Sequence, residues 1–336
     1  MTKIIEIKDK VFRFCAEYET YLVYAYRFLL ALTLFVIINN SVGFMEKLGT
    51  FPIALLLALI CCLLPQKITI IVAALLVLLH LYTLSLEVAL VALLIFAVVF
   101  FLYARFAPQD GVLFLLTPIA FSMGIPYVLP LATGLFRKAY SVMAIICGTI
   151  CFYFVDGIYQ NVTTLGNNAA GENADTAEKI SVTISQLVSN KEMFLVVGIF
   201  ALSTIMVSVI RRLSVDNAWK IAIVSGTLVQ ITGLFAGYLL FQVSDKTVGM
   251  IFGNIIAMIL AFVMEFLMMD LDYSRTERVQ FEDDDYYYFV KAIPKKMVTS
   301  SEKTVKLFGD RKKEEHVAKG RKMIAEELDI DEEWLD

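Results

Sequence analysis

Few side chains in this sequence are placed to do chemistry, and most of those lie in apolar surroundings. His80, Glu87, Asp156 and Glu265 fall within or at the ends of long hydrophobic stretches. An ionisable group in a membrane segment is costly and is a functional candidate by default. His80, Glu87 and Asp156 each lie toward the end of their stretch that is remote from the basic loops, so together they would form an acidic site open to that side. A lone histidine at such a position is more often an interhelical hydrogen-bond donor than a proton relay. Glu265 is the deepest acid and the best single candidate for a proton- or ion-linked group. Its structural alternative is pairing with Arg27 or another arginine at the basic end. Arg27 lies about one turn inside its stretch, where a long side chain can snorkel. Three hydroxyls, Thr117, Ser122 and Thr133, lie in a proline-interrupted segment and would line a pathway there.

Enzyme signatures are lacking. Two histidines, His80 and His316, cannot make an HExxH site, and there is no Walker Gly-Lys-Ser/Thr loop and no GxSxG elbow. The chain is therefore read as a non-enzyme without cofactor, metal or nucleic-acid partner. The five cysteines, Cys15, Cys61, Cys62, Cys147 and Cys151, lie in or beside apolar segments and offer no disulfide framework. Cys147 and Cys151 share a helix face without a nearby His or acid, which suits packing better than metal binding.

The elements that must hold these residues are membrane helices. Of 336 residues 59% are hydrophobic and 18% charged, against about 45–50% and 25% in soluble domains. The mean hydropathy is +0.72. Long stretches such as Ile53–Leu64, Ile68–Leu79 and Val88–Leu102 carry no charge, and an apolar run of about 18 or more residues reads as a membrane span. The predicted fold is an all-α polytopic membrane protein with spans at 21–38, 51–64, 68–82, 86–103, 139–158, 193–210, 221–241 and 248–269. Residues 1–19 form an amphipathic helix with Ile4, Ile7, Val11, Phe14 and Tyr18 on one face. It either lies on the membrane surface or extends the first span. No cleavable leader is visible, so the first span is expected to act as its own insertion signal.

Segment 111–136 is different. Pro118, Pro126 and Pro130 interrupt it, along with Gly124 and Gly134. Each proline inside a helix costs about 3 kcal/mol. Two short helices meeting near Gly124-Ile125-Pro126 avoid most of that cost, and such a break is tolerated at depth only where protein or a cavity shelters it. The basic residues lead to the same reading. Lys67, Arg105, Arg137, Lys138, Arg211, Arg212 and Lys220 should share one side with the basic N-terminus, by the positive-inside rule. Lys47, Lys179, Lys191 and Lys246 are left for the other side. This works only if 111–136 enters and leaves on one face, giving eight spans plus a re-entrant hairpin within a membrane domain of residues 20–271. Both termini are then cytoplasmic. Loop 160–192 is external, and residues 176–189 form a short amphipathic helix within it.

The tail, 272–336, opens with a β-hairpin at 277–293. Val279 and Phe281 alternate with polar residues, as do Tyr286, Tyr288 and Val290, around Asp283-Asp284-Asp285. Beyond it lie a basic run, 303–322, and an acidic end, 326–336. The run from Phe281 through Tyr286-Tyr287-Tyr288 to Pro294-Lys295, following a span, resembles a family of uncharacterised clostridial-type Gram-positive membrane proteins. The proline-interrupted stretch around Pro126 and Pro130 resembles the same family. The resemblance implies a bacterial plasma-membrane setting and carries over no functional residue. Two readings follow. One is a transporter-like or permease-like protein for a small solute or ion, because broken helices commonly build substrate sites. The other is a scaffold whose Tyr286, Tyr287 and Tyr288 dock a cytoplasmic partner. The oligomeric state is left open.

Overall fold

A computed structural model describes residues 2–165, 176–242, 246–268 and 277–292. All of these except the first turn of α1 belong to one compact unit, Ile7–Lys296. The chain is an all-α polytopic membrane protein with one small two-stranded sheet. Helix α1 (Thr2–Glu17) leads into α2 (Glu19–Ser41) through the single non-helical residue Tyr18. Helical hydrogen bonds continue across it, from Tyr18 N–H to Phe14 O and from Leu22 N–H to Tyr18 O. The amphipathic segment is thus an extension of the first span, and its apolar residues Ile7, Val11 and Phe14 are exposed.

The next helices are α3 (Phe51–Leu63), α4 (Gln66–Leu84), α5 (Leu86–Phe106), α6 (Gly111–Ser122), α7 (Val128–Phe136) and α8 (Val142–Gln160). They are followed by α9 (Val162–Leu165), α10 (Thr176–Val188), α11 (Lys191–Ile210), α12 (Ala218–Phe241) and α13 (Thr247–Met268). Among the described residues seven helices are long and apolar enough to cross a membrane: α2, α4, α5, α8, α11, α12 and α13. The expected second span, α3, has only 13 residues, about 20 Å of helix against a hydrocarbon core of about 30 Å. Many large side chains point outward, among them Leu94, Phe101, Leu240 and Phe252. Such a surface requires contact with a lipid bilayer.

Side-chain contacts sort the helix termini into two ends. At one, the Gln66 amide at the start of α4 donates to the Tyr26 hydroxyl on α2. Arg211, just past α11, donates to the carbonyls of Leu135 and Arg137 at the end of α7. Lys8 of α1 donates to Phe266 O of α13 at 2.9 Å. At the other end, His80 near the end of α4 meets Asn39 near the end of α2. Lys246 before α13 pairs with Glu192 at the start of α11, at 2.8 Å. The seven basic residues grouped by the charge argument all fall at or beside the first end. Lys47, Lys179, Lys191 and Lys246 fall at the second.

Three local features depart from the expected spans. The first span, expected to end at residue 38, runs as a helix through Ser41, because the Asn39 side chain bonds to other segments instead of its own backbone. The turn between α4 and α5 is Ser85 alone, extended, with its Oγ accepting from Val88 N–H as an N-cap. Helix α10 buries Lys179 and Thr183 and exposes Ile184 and Val188. The face that packs on the ends of α5 and α8 is mixed, with Val182 and Leu187 beside Lys179 and Thr183, and there Asn161 donates to Gln186 Oε1 at 3.1 Å. The turn formers at 166–175, the start of the tail and the charged run beyond residue 292 lie outside the described residues.

Strands β1 (Glu277–Glu282) and β2 (Tyr287–Ala292) pair antiparallel, with Val279 opposite Val290 and Phe281 opposite Tyr288. These four therefore share one face, and the Phe281 and Tyr288 rings stack at 4.9 Å.

Candidate functional site

The site is built around the broken segment. Helix α6 ends in a Schellman motif: Gly124, at φ +75°, donates to Phe121 O, and Ile125 donates back to Ala120 O. Pro126 lies in the turn and Pro130 in the first turn of α7, where a missing N–H leaves no bond unmade. Only Pro118 remains inside a helix. Its lost donor frees Phe114 O, and Gly148 of α8 comes so close that an added Cβ would lie 2.9 Å from that oxygen and 2.6 Å from Thr117 Cβ.

The segment returns to where it began. Asp110, one residue before α6, is buried and lies 3.7 Å from the guanidinium of Arg137, one residue after α7. The two arms pack apart: α6 lies against α8, α2 and α4, and α7 against α11, α13 and α12. The hairpin thus bridges a first helical group, α2–α5 with α8, and a second, α11–α13.

Against the α6 arm lies a cavity of about 600 Å³. Leu34 of α2, Ala74 of α4, Ala97 of α5 and Phe114 and Pro118 of α6 are among the residues around its body, which is almost wholly apolar. Its polar groups are Asn40 and Ser41 at the end of α2, Asp156 and Tyr159 near the end of α8, and Ser122 at the hairpin tip. Of the three hydroxyls expected on a pathway, only Ser122 lines this cavity, and its Oγ donates to Pro118 O at 3.0 Å. Thr117 is fully buried against Gly148 and donates to Leu113 O at 2.7 Å. Thr133 is buried with its hydroxyl unpaired.

The expected acidic cluster does not assemble as one hydrogen-bonded site. His80 Nδ1 accepts from Met45 N–H at 3.2 Å, leaving Nε2 to donate to Asn39 Oδ1 at 3.1 Å. Both ring nitrogens are thus committed to structure, as an interhelical role requires. Glu87 accepts from Thr176 at 3.5 Å, and Asp156 from Gln160 at 2.7 Å. Glu265 is buried on α13. All five cysteines are free thiols, and no metal-ligand group forms among the described residues. Tyr286, Tyr287 and Tyr288 are exposed on the β-hairpin.

Sequence reasoning missed a second constellation. Tyr153 of α8 donates to Glu192 Oε1 at 3.2 Å, and Lys246 grips the same carboxylate. Tyr127, at the hairpin tip, pairs through its hydroxyl with Tyr238 of α12 and covers Gly253 of α13. Tyrosines in apolar spans read as packing residues, and the one local signal that could have marked the group is the position of Tyr127 beside Pro126. A further buried pair, Gln230 and Ser203, bonds at 2.9 Å between α12 and α11, with Gln230 Oε1 left unpaired. No family pattern, curated protein or solved structure matched the chain on comparison.

Proposed function

We propose that this integral membrane protein is transporter-like and handles a small, largely apolar solute in the cavity beside the α6–α7 hairpin. The observation that carries the reading is the juxtaposition of a re-entrant broken helix with a cavity of about 600 Å³, a volume typical of small-molecule sites. The hairpin touches both helical groups and has a natural flexing point at Gly124–Pro126. Movement of one group against the other would therefore bend the hairpin there and alter the cavity wall formed by α6. The apolar lining argues for a hydrophobic solute over a bare ion. No catalytic step is assigned to the chain. By the positive-inside rule the basic end faces the cytoplasm, which puts both termini inside. The resemblance of the 281–295 run supports a bacterial plasma-membrane setting.

A second reading keeps one specific support. The β-hairpin exposes aromatic rings on both faces, Phe281 and Tyr288 on one and Tyr287 and Phe289 on the other, and exposed tyrosines suit a cytoplasmic protein partner. Proteoliposomes separate the two readings. The transporter-like reading expects faster uptake of members of a hydrophobic dye panel than in protein-free vesicles, with the gain lost in Ala97→Phe. Uptake that matches protein-free vesicles for the whole panel would leave the scaffold reading standing alone.

A further inference from the structure

Apart from Ser122 at the hairpin tip, the polar groups of the cavity lie at one end. Asn40, Ser41, Asp156 and Tyr159 all belong to the ends of α2 and α8 remote from the basic end. From there it runs down past Ala74 and Ala97, and along α4 its wall extends from Ile70 to Leu78, about 12 Å of helix. An apolar channel with a polar mouth fits an amphiphile with its head at the mouth and a hydrocarbon chain below. The cavity also opens sideways, because the lining residues Ile71, Leu75, Leu93 and Ala97 are exposed on the surface that faces lipid. A bilayer component can therefore enter without crossing water.

The charge at the mouth selects the head group. Among the described residues, Asp156 is the only acid lining the cavity, and no lysine, arginine or histidine lines it. The nearby ammonium of Lys246 is held by both oxygens of Glu192, at 2.9 and 2.8 Å. Asp156 accepts one hydrogen bond from a neutral amide, that of Gln160. A half-buried carboxylate with this surrounding is complementary to an ammonium group, and a charge-assisted N–H···O bond is the strongest contact it can make.

We propose that the cavity takes one hydrocarbon chain of a bilayer aminolipid and that Asp156 receives its ammonium group. The proposal rests on the reading of this cavity as the functional site and names what occupies it. Lipid titrations of the delipidated full chain in detergent, followed by native mass spectrometry, test both. Phosphatidylethanolamine should bind about tenfold more tightly than phosphatidylglycerol with the same chains. Asp156→Asn should remove that preference and leave chain binding in place. Ala74→Phe and Ala97→Phe, which fill the channel at two separate points, should weaken both lipids. Equal affinities for the two lipids in the unmodified protein would overturn the aminolipid. If the filling variants still weakened both, the cavity reading would survive. Unchanged binding in both filling variants would overturn the cavity reading too.

Discussion

At the scale of single residues, Asp156 lines the cavity, whereas His80 holds helices together. Its ring joins α4 to Asn39 on α2 and to the loop residue Met45. His80→Leu leaves the Asn39 carbonyl oxygen and the Met45 N–H without partners, and each such buried group costs about 1–3 kcal/mol. The expected result is a lower unfolding temperature in detergent, partly restored by His80→Gln, which keeps a donor and an acceptor. An unchanged temperature for His80→Leu would contradict the structural role. Gly148 is a comparable case without charge. A side chain there meets Thr117 and Phe114 O at once, so Gly148→Leu should pry α6 from α8 and lower stability by more than 1–3 kcal/mol, about the usual cost of overpacking. Gly198→Ala is the control, because nothing lies within 4 Å of its added Cβ. Thermal unfolding that ranks the two variants alike would count against the close α6–α8 contact. The identities of His80 and Thr117 were legible as polar groups in apolar runs. Their partners were not, since Asn39 and Gly148 are 41 and 31 positions away and no local pattern encodes such a pairing.

At the scale of elements, the hairpin and the β-ribbon each depend on one turn. Gly124 holds φ +75°, a left-handed conformation that costs an L-residue about 1–2 kcal/mol. Gly124→Val should therefore destabilise the α6–α7 turn by that amount, although nothing lies within 4 Å of the added Cβ. The β-ribbon turn is held by Asp283. Its carboxylate accepts from Asp285 N–H at 3.0 Å, Tyr286 N–H at 2.7 Å and the Tyr288 hydroxyl at 2.9 Å. These bonds favour the charged form, the Asp285 and Tyr286 amides first and the Tyr288 hydroxyl after them. They hold its pKa below the ordinary 3.8. A depressed carboxylate contributes stability that is fully present above the unfolded pKa and lost as pH falls through the folded one. Tyrosine signals from the ribbon should thus report loosening only on the acid side of about pH 4. In Asp283→Asn that acid transition should disappear. Its persistence in the variant would assign it to another group. The two strands were legible from alternation, because a two-residue period is a local property. The α10 face was not, because its burial is set by the polar ends of α5 and α8.

At the scale of the whole molecule, the two ends of the helical assembly carry different charges, and this makes orientation testable. In a cysteine-free background, a cysteine at Ser189 should react with an impermeant maleimide on intact cells, and one at Asp284 should react only after lysis. The reverse pattern would invert the topology and put the Asp156 mouth of the cavity on the inner side. Helix α3 is the weak point of the membrane region. Its 13 residues are short for the hydrocarbon core, so the bilayer must thin locally or the extended Leu64-Pro65 must lie within it. The exposed apolar surface fits a polytopic protein in lipid.

The sequence by itself determined the class of protein, the helix-rich membrane region, the site of the break at Gly124–Pro126 and the grouping of basic residues at one end. Each of these follows from local quantities: the length of uncharged runs, the backbone limits of Gly and Pro, and the count of charges in connecting loops. Tertiary structure alone decided that Asp110 meets Arg137, that the hairpin arms part between two helical groups, and that a cavity opens along α6 with Asp156 at its mouth. It also brought Tyr127, Tyr153, Tyr238 and Glu192 together from four separate segments. In a membrane helix nearly every position is apolar whether it faces lipid or protein. Hydropathy therefore carries almost no record of which faces meet, and packing at small residues such as Gly148 and Gly253 has to settle it.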